Sequence, residues 1–201
     1  MNSIKVADYW PNPTDGKVWE FCYLNKDKNV SIISQFSKRN DTIYWKSFGS
    51  KGEWISTRFL KYDPARGVIE YRDEYPLTGL QKTIFGTSVK KIIYRSGQEI
   101  LWGNQVSIGT TITNSYIPNY KECDGVFPDF PIADLNINYQ VCIFEKLHDE
   151  YVDQFGNIHK NVLELVYKQK TNSGRYLLEK GLGPFEIKQD NDLITARISK
   201  S

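Results

Sequence analysis

The chain has 201 residues, of which 40% are hydrophobic and 25% charged, and its formal net charge is +2. A chain of this length buries roughly 70% of its unfolded surface when it folds, so its core needs neither a metal nor a disulfide. The nearly balanced charge, without a block of like charges, argues against nucleic-acid binding, which needs a basic stripe. No apolar signal segment and no run of about 18 apolar residues is present, so we expect a protein that folds in the cytoplasm without a membrane span.

Residues 1–16 predict an extended N-terminal arm, and residues 17–201 predict a single β-rich domain. Two prolines exclude a helix at the end of the arm, and the Asp-Gly pair that ends at Gly16 is typical of a turn. Trp10, beside these prolines, is the best candidate for an exposed anchor, and Tyr9 precedes it. Arms with such residues make good contacts between subunits, because few rotamers are frozen on binding.

After the arm, apolar and polar residues alternate in short segments separated by Gly, Pro, Asn and Asp, a pattern typical of an all-β fold. The aromatic content of 14% also favours strands. The pattern predicts a fold that is all-β and mostly antiparallel: a twisted meander, a sandwich or an open barrel with long loops. The predicted strands are residues 17–24, 30–36, 42–48, 54–62, 68–72, 89–95, 99–102, 105–114, 137–147, 162–170, 175–179, 185–188 and 193–198.

Three connections between these strands are long. Residues 73–87 predict a loop, so the domain could be subdivided near residues 73–88. Residues 148–157 predict a polar connection. Residues 116–131 are the least regular stretch, and an ordered loop of that length is usually functional. Its aromatic side chains either cover the core or form a contact surface; they are Tyr116, Tyr120, Phe127 and Phe130.

Two motifs near the ends of the chain resemble a known group of proteins. A G-x-x-W pattern opens the first long strand, and Lys-Gly-Leu-Gly-Pro precedes the final hairpin. The pair resembles poorly characterised β-rich proteins of bacterial envelopes and of phages and prophages, in which these motifs bracket a twisted antiparallel sheet. The resemblance implies no catalytic residues, and it implies structural roles for Gly16, Trp19, Gly181, Gly183 and Pro184. Because this chain lacks the secretion signal of the envelope members, it implies a phage or prophage protein that is incorporated into a virion.

An oxygen-rich segment is the main candidate for a metal site. Asp149, Glu150 and Asp153 carry ligands of the type that calcium takes, but their spacing does not fit an EF-hand loop, and an ordinary turn is the alternative. The two histidines, His148 and His159, have no evident partner residue that would orient them for nucleophilic catalysis. The sequence therefore predicts no cofactor.

Acidic residues offer one route to catalysis. Glu70, Asp73 and Glu74 follow one another closely, and paired carboxylates hydrolyse glycosides when they are held at a suitable separation. Sequence does not reveal that separation, and any β protein has spare acids.

The leading hypothesis is a non-enzymatic structural or interaction protein, such as a phage tail or baseplate component, whose partners are other protein subunits in a larger assembly or homo-oligomer. One alternative is a β module that binds a glycan or an apolar ligand. The other is a carboxylate-dependent glycoside hydrolase.

Overall fold

The computed structural model describes residues 3–77, 79, 82–83, 91–100, 103–116, 118–122, 138–168, 173–189 and 192–199. All strand pairs are antiparallel, which confirms the predicted fold class. A short 3₁₀ helix covers Val6–Tyr9. Among the described residues, no helix has the length and apolar character needed to cross a bilayer. The strands are β1 (Ile4–Lys5), β2 (Val18–Leu24), β3 (Val30–Arg39), β4 (Thr42–Gly49), β5 (Trp54–Asp63), β6 (Gly67–Pro76), β7 (Lys91–Ile100), β8 (Gln105–Val106), β9 (Thr111–Tyr116), β10 (Pro118–Glu122), β11 (Asn138–Val152), β12 (Ile158–Lys168), β13 (Ser173–Glu179), β14 (Gly183–Gln189) and β15 (Asp192–Ser199).

Thirteen of these strands form one sheet in the order β10-β7-β6-β5-β4-β3-β2-β15-β14-β13-β12-β11-β9. Two meanders, β2 to β7 and β11 to β15, supply most of the neighbours, because each strand pairs with the next one along the chain. The two meanders are joined where β15 pairs with β2. β1 and β8 form a separate two-stranded sheet. Because β7 and β9, from opposite ends of the order, contact each other, the large sheet curves around its inner face.

The inner face of the sheet holds the main hydrophobic core. Side chains alternate between the two faces of a strand, so every second residue of the long strands points inward. Phe36 is fully buried, and its ring centroid lies 5.3 Å from that of Trp45 and 5.9 Å from that of Phe21. The other strands contribute further buried residues to the same cluster, among them Ile43, Leu60, Val68, Phe144, Leu163, Leu165 and Leu178.

The N-terminal segment packs into this core, so the prediction of Trp10 as an exposed anchor is wrong. Trp10 and Tyr9 each expose only 5% of their surface, and the Trp10 ring meets the edge of Trp45 at 5.9 Å between centroids. Two backbone bonds fix the segment: Val6 N donates to Asn104 O, and Gly181 N donates to Asp8 O. Burying a large apolar side chain stabilises a fold by roughly 1.5–3 kcal/mol, which favours packing over an extended arm.

Tertiary pairing also changes three connections that the sequence predicted as loop, polar or irregular. Residues 73–76 belong to β6. Residues 148–152 of the predicted polar connection extend β11, and β12 begins at Ile158, which leaves a turn at residues 153–157. Residues 118–122, predicted as irregular, form β10 beside β7. In each case the partner strand supplies hydrogen bonds that local composition does not reveal.

Two strand boundaries were wrong in the middle of the chain. The Ser-Gly-Gln segment predicted as a turn lies inside β7, at an irregularity where the β6–β7 register passes from Glu99 to Arg95. The segment 105–114, predicted as one strand, is divided into β8 and β9 by a turn in which Ser107 N donates to Thr110 Oγ1 and Thr110 N donates to Ser107 O.

The motif residues of the two ends lie at turns and beside the core. Trp19 packs against the main cluster, and Gly16 has a positive φ of 77°. Gly183 also has a positive φ, 85°, and a Cβ there would lie 2.6 Å from Pro11 Cδ. Pro184 O accepts a hydrogen bond from Tyr23 OH at 2.9 Å, which ties the β13–β14 turn to β2.

Candidate functional site

A cavity lies at one end of the sheet, between the N-terminal segment and the β3–β4 and β5–β6 turns. Its volume is about 420 Å³, within the range of roughly 300–1,000 Å³ that is usual for small-molecule sites. The deep part of its lining is apolar and comes from buried side chains of four separate segments: Trp10, Ile43, Leu60 and Val68. The cavity therefore offers an apolar floor close to the main core.

A close backbone contact holds one wall of the cavity in place. Gly67, at the start of β6, has a φ of 103°, and a Cβ there would lie 1.7 Å from Gly103 O. Asn104, the next residue, accepts a hydrogen bond from Tyr62 OH at 2.9 Å and donates one to Pro64 O. Only glycine fits at residue 67, so the turn that carries Tyr62 and Pro64 is positioned by the 103–104 backbone.

Three lysines, Lys5, Lys38 and Lys61, surround the apolar floor. Lys38 Nζ donates to Asn12 Oδ1 at 3.1 Å, and the ammonium of Lys5 lies 5.2 Å from the ring centroid of Tyr62. Within the described parts of the chain, none of these three ammonium groups has a carboxylate partner within 4.0 Å. The ammonium of Lys61 lies 5.7 Å from the ring centroid of Tyr71, a residue outside the lining, whereas the contacts of Lys5 and Lys38 are with lining residues.

The acidic residues of the lining are mostly engaged by cations outside it. Asp8 pairs with Lys180 at 3.7 Å, and Asp63 pairs with Arg66 at 3.0 Å. The hydrogen bond from Arg66 is the main cause that lowers the pKa of Asp63, and backbone N–H donors in its turn add to it. Asp41 also lines the cavity. With two of these three acids paired elsewhere, the lysines dominate the electrostatics of the rim.

The calcium candidates lie at the end of the β11–β12 hairpin, where Asp153 organises a turn. Its Oδ1 accepts hydrogen bonds from Phe155 N and Asn157 N, and its Oδ2 accepts one from Asn157 Nδ2 at 2.9 Å. Asp149 and Glu150 are exposed on the preceding strand. The structure thus supports the alternative of an ordinary turn. Among the described residues, no group of three or more His, Cys, Asp or Glu side chains has a metal-binding arrangement.

His159, on β12, connects this turn to Glu179 on β13 and to Phe185 on β14. When protonated, it donates from Nδ1 to Glu179 Oε2 at 3.1 Å and from Nε2 to Asp153 Oδ2 at 3.3 Å. Its ring stacks on Phe185 with 3.7 Å between centroids. Arg197 donates both to Glu179 and to Leu182 O, so four strands and two turns meet in one network.

This network predicts that stability depends on pH through His159. Burial alone lowers the pKa of His159, but the hydrogen bonds and charges of Glu179 and Asp153 outweigh burial and raise it above 6.5. Burial raises the pKa values of Asp153 and Glu179, but other causes outweigh it and lower both: hydrogen bonds from Asn157 and His159 act on Asp153, and the His159 hydrogen bond and the Arg197 charge act on Glu179. The stabilisation is therefore complete below pH 6.5, down to the range where the carboxylates protonate, and is lost as the pH rises through the raised pKa of His159.

Replacement of His159 by Gln tests this dependence. We expect the loss in unfolding free energy, measured by urea denaturation, to be larger at about pH 5.5 than at about pH 8.5, because the charged partner is absent. Because one proton is involved, the difference in unfolding free energy between the natural chain and the variant can change by at most about 1.4 kcal/mol per pH unit. An equal loss at both pH values would contradict a charged His159.

Of the remaining predicted residues, Glu70 and Asp73 lie on the same face of β6, where Glu70 is 3.9 Å from Arg58 and Asp73 is the ladder partner of Arg58. Tyr116 ends β9 and Tyr120 lies in β10, whereas Phe127 and Phe130 lie outside the described residues. The three clustered acids are divided between the faces of β6: Glu70 and Asp73 are ladder partners of Leu60 and Arg58, and Glu74 is bound by Lys91 at 2.9 Å.

Lys5, Lys38 and Lys61, which we call the lysine rim, were missed by sequence reasoning. They come from three segments of the chain and form no motif, so only the three-dimensional arrangement reveals them.

Comparisons with protein-family models, with curated proteins and with solved structures find no match to this chain. The function must therefore be argued from the geometry.

Proposed function

We propose that this protein is a non-enzymatic binding protein whose cavity takes a small amphipathic anion, with an apolar body and an acidic head group. The observation that carries the proposal is the combination of an apolar floor with a lysine rim in a cavity of about 420 Å³. The apolar body would displace water from Trp10, Ile43, Leu60 and Val68, which is favourable in proportion to the apolar area buried.

The head group is specified by charge. Lys5, Lys38 and Lys61 line the cavity, and two acids of the lining already have cation partners. A carboxylate, sulfate or phosphate would gain charge-assisted hydrogen bonds from these lysines, and such bonds are about twice as strong as neutral ones. A cationic head group would be repelled.

Titration with decanoate tests the proposal, with decanol and decyltrimethylammonium as comparators of matched chain length. We expect saturable binding of decanoate by isothermal titration calorimetry, with a change in the tryptophan fluorescence because Trp10 lines the floor. Decanol should bind about tenfold more weakly, since it lacks the charge-assisted bonds. Decyltrimethylammonium should bind least.

Replacing both Lys38 and Lys61 by Gln should weaken decanoate binding about tenfold or more and leave decanol binding nearly unchanged. Lys51→Gln, in the β4–β5 turn and absent from the lining, is the matched control. Equal affinity for the anionic and cationic compounds, or no saturable binding of either, would overturn the proposal.

A second candidate, the structural or interaction protein predicted from the sequence, is favoured by an exposed apolar pair on the β11–β12 hairpin. Val152 and Ile158 are ladder partners that expose 61% and 64% of their surface. Exposed apolar area of this kind is covered when subunits associate. We propose that copies of the protein associate with each other through this hairpin. This association would be one step in the assembly of a larger particle such as a phage tail or baseplate.

Light scattering after size-exclusion chromatography tests the second candidate. We expect an oligomer for the natural chain and a monomer for the double variant Val152→Ser, Ile158→Ser. If the natural chain and the double variant were both monomers up to about millimolar protein concentration, the second candidate function would be ruled out.

A further inference from the structure

The β11–β12 hairpin has a backbone edge that no described strand covers near its turn. β12 lies along one side of β11 up to Val152, whereas β9 covers the other side only as far as Ile143. The backbone of Phe144 still bonds to residues 109–110 on that side. Within the described parts of the chain, residues 145–152 are therefore an open strand edge.

This edge is accessible to a partner. Six of its eight residues are exposed, and the other two, His148 and Tyr151, are partly buried. The segment contains no proline, so every residue has a backbone N–H group that can donate. An exposed strand with unpaired backbone groups is a template for pairing with another strand.

The hydrogen bonds of the hairpin determine which residues can bond across the open edge. In the turn, Asp153 N donates to Asn157 O at 3.0 Å, so these two residues form a hydrogen-bonded pair. Along an antiparallel ladder such pairs alternate with pairs whose N–H and C=O groups point away from the partner strand. Since the register with β12 has no shift between Lys146 and Val152, the even-numbered residues of this segment direct their backbone groups to the open edge.

Only a few registers allow two copies of this edge to pair. Two copies related by a twofold axis pair antiparallel through the same patch. Because even-numbered residues must face even-numbered residues, the axis passes through a residue and not between two. An axis at Asp149 sets the two Asp149 carboxylates opposite each other, and an axis at Leu147 sets Glu145 opposite Asp149. Like charges directly opposite each other destabilise a sheet, so both registers are unfavourable.

An axis at His148 gives complementary charges instead. Lys146 then lies opposite Glu150 of the second copy, and by symmetry the pair occurs twice. Within its own chain, Glu150 has the exposed Lys160 as a distant partner at 4.0 Å. The two His148 residues meet at the axis, where each ring is bonded to Glu164 of its own chain at 2.8 Å. Opposite charges on paired strands stabilise a sheet, so the charge pattern favours a second copy of this chain in this one register.

The same register also covers exposed apolar side chains. Pairing over residues 145–151 brings Val152 of one copy to the level of Phe144 in the other, beside residues 109–110. Ile108 precedes these residues and exposes 45% of its surface, and Val152 exposes 61%. Contact between the two side chains would remove apolar area from water at both ends of the interface.

We infer that two copies of this chain pair edge to edge through residues 145–151 of β11, antiparallel and with the twofold axis at His148. The two hairpins then form one continuous sheet. The inference rests on the second function proposed above, self-association through this hairpin, and names the strand edge and the register that carry it.

Disulfide cross-linking of the full chain tests the register, with Cys123 replaced by Ser; Cys22 and Cys142 are buried. His148→Cys places two thiols at the axis, where the Cα atoms of a hydrogen-bonded pair are about 5.5 Å apart, a separation that suits a disulfide. Under mild oxidation we expect a covalent dimer that dithiothreitol reverses. Asp149→Cys should cross-link at least about tenfold more slowly, and faster cross-linking of Asp149→Cys would overturn the register.

Lys146→Cys and Glu150→Cys test the same register without a change at the axis. Each lies opposite the other residue of the second copy, but four residues, or about 13 Å along the strand, from its own counterpart. We therefore expect a covalent dimer when the two variants are mixed and oxidised, and little when either is oxidised alone. This arm decides the question if His148→Cys does not fold. Equal cross-linking of the mixture and of either variant alone would overturn the inference.

Charge reversal tests the complementarity. Lys146→Glu turns two attractive pairs into repulsive ones, so we expect the dimer dissociation constant from analytical ultracentrifugation to rise about tenfold or more. The double variant Lys146→Glu, Glu150→Lys should restore it to within about threefold. Lys26→Glu, an exposed residue of the β2–β3 turn, makes the same change in net charge and is the control. An equal effect of Lys146→Glu and Lys26→Glu would contradict the proposed pairing.

The results also separate this inference from the function on which it rests. If the double variant of Val152 and Ile158 disrupts an oligomer while cross-linking and charge reversal fail, self-association stands and the edge pairing is wrong. If cross-linking succeeds while that variant remains a dimer, the edge pairing stands and the apolar pair does not drive association. If the natural chain is a monomer and no cysteine variant cross-links, both are wrong.

Discussion

Replacing Phe36 by Ala should destabilise the fold by about 3–5 kcal/mol, the usual cost of removing a fully buried phenylalanine ring. Phe36 lies at the centre of the inner face, where it stacks on Trp45 and meets the edge of Phe21. Its neighbours belong to three adjacent strands whose backbones are held by ladders on both sides, so they can close the space only in part. The measurement is the free energy of unfolding from urea denaturation.

Phe155→Ala is the control for this prediction. Phe155 is half-buried in the 153–157 turn, and its ring contacts the ammonium of Lys28 at 5.6 Å. We expect a loss of about 1 kcal/mol or less, because little apolar area and one weak cation–π contact are removed. If the two variants lost similar amounts of stability, the inner face would not be the dominant core.

Replacing Gly67 by Ala should cost about 2–5 kcal/mol. Two effects add: an L-residue at a φ of 103° is strained by roughly 1–2 kcal/mol, and a Cβ only 1.7 Å from Gly103 O forces a backbone shift that costs roughly 1–3 kcal/mol. The shift would also displace the wall of the lysine-rimmed cavity, so decanoate affinity should fall with stability.

Gly52→Ala separates these two effects. Gly52 has a comparable φ of 79°, but a Cβ there meets no atom within 4 Å. We therefore expect only the conformational cost, about 1 kcal/mol, and unchanged decanoate binding. A Gly67→Ala variant as stable as Gly52→Ala would show that the 103–104 backbone does not press on β6.

The strands of the two meanders could be predicted from sequence because each one has a local signal. Residues 42–48 and 54–62, for example, alternate in polarity between turn residues, and they match β4 and β5 within a residue. The predicted turn around Ser-Gly-Gln is wrong, since β6 pairs with β7 on both sides of this segment and the strand continues through it as an irregularity. Pairing between distant segments overrides local propensity in such cases.

The candidate sites could not be predicted for a related reason. Lys5, Lys38 and Lys61 each look like an ordinary surface lysine, and no motif links them. Trp10 was singled out from the sequence, but the prolines beside it suggested exposure. In the structure, the same extended backbone lets the ring fold back against Trp45.

The pairing of β15 with β2 has a consequence for biosynthesis. These strands are far apart in the chain, so the ladder between Ala196 and Leu24 can form only after β15 has left the ribosome. Until then β2 presents an unpaired edge, which is a template for association with other chains. Such long-range closure raises contact order and slows folding. We expect truncation before β15 to yield a species that aggregates.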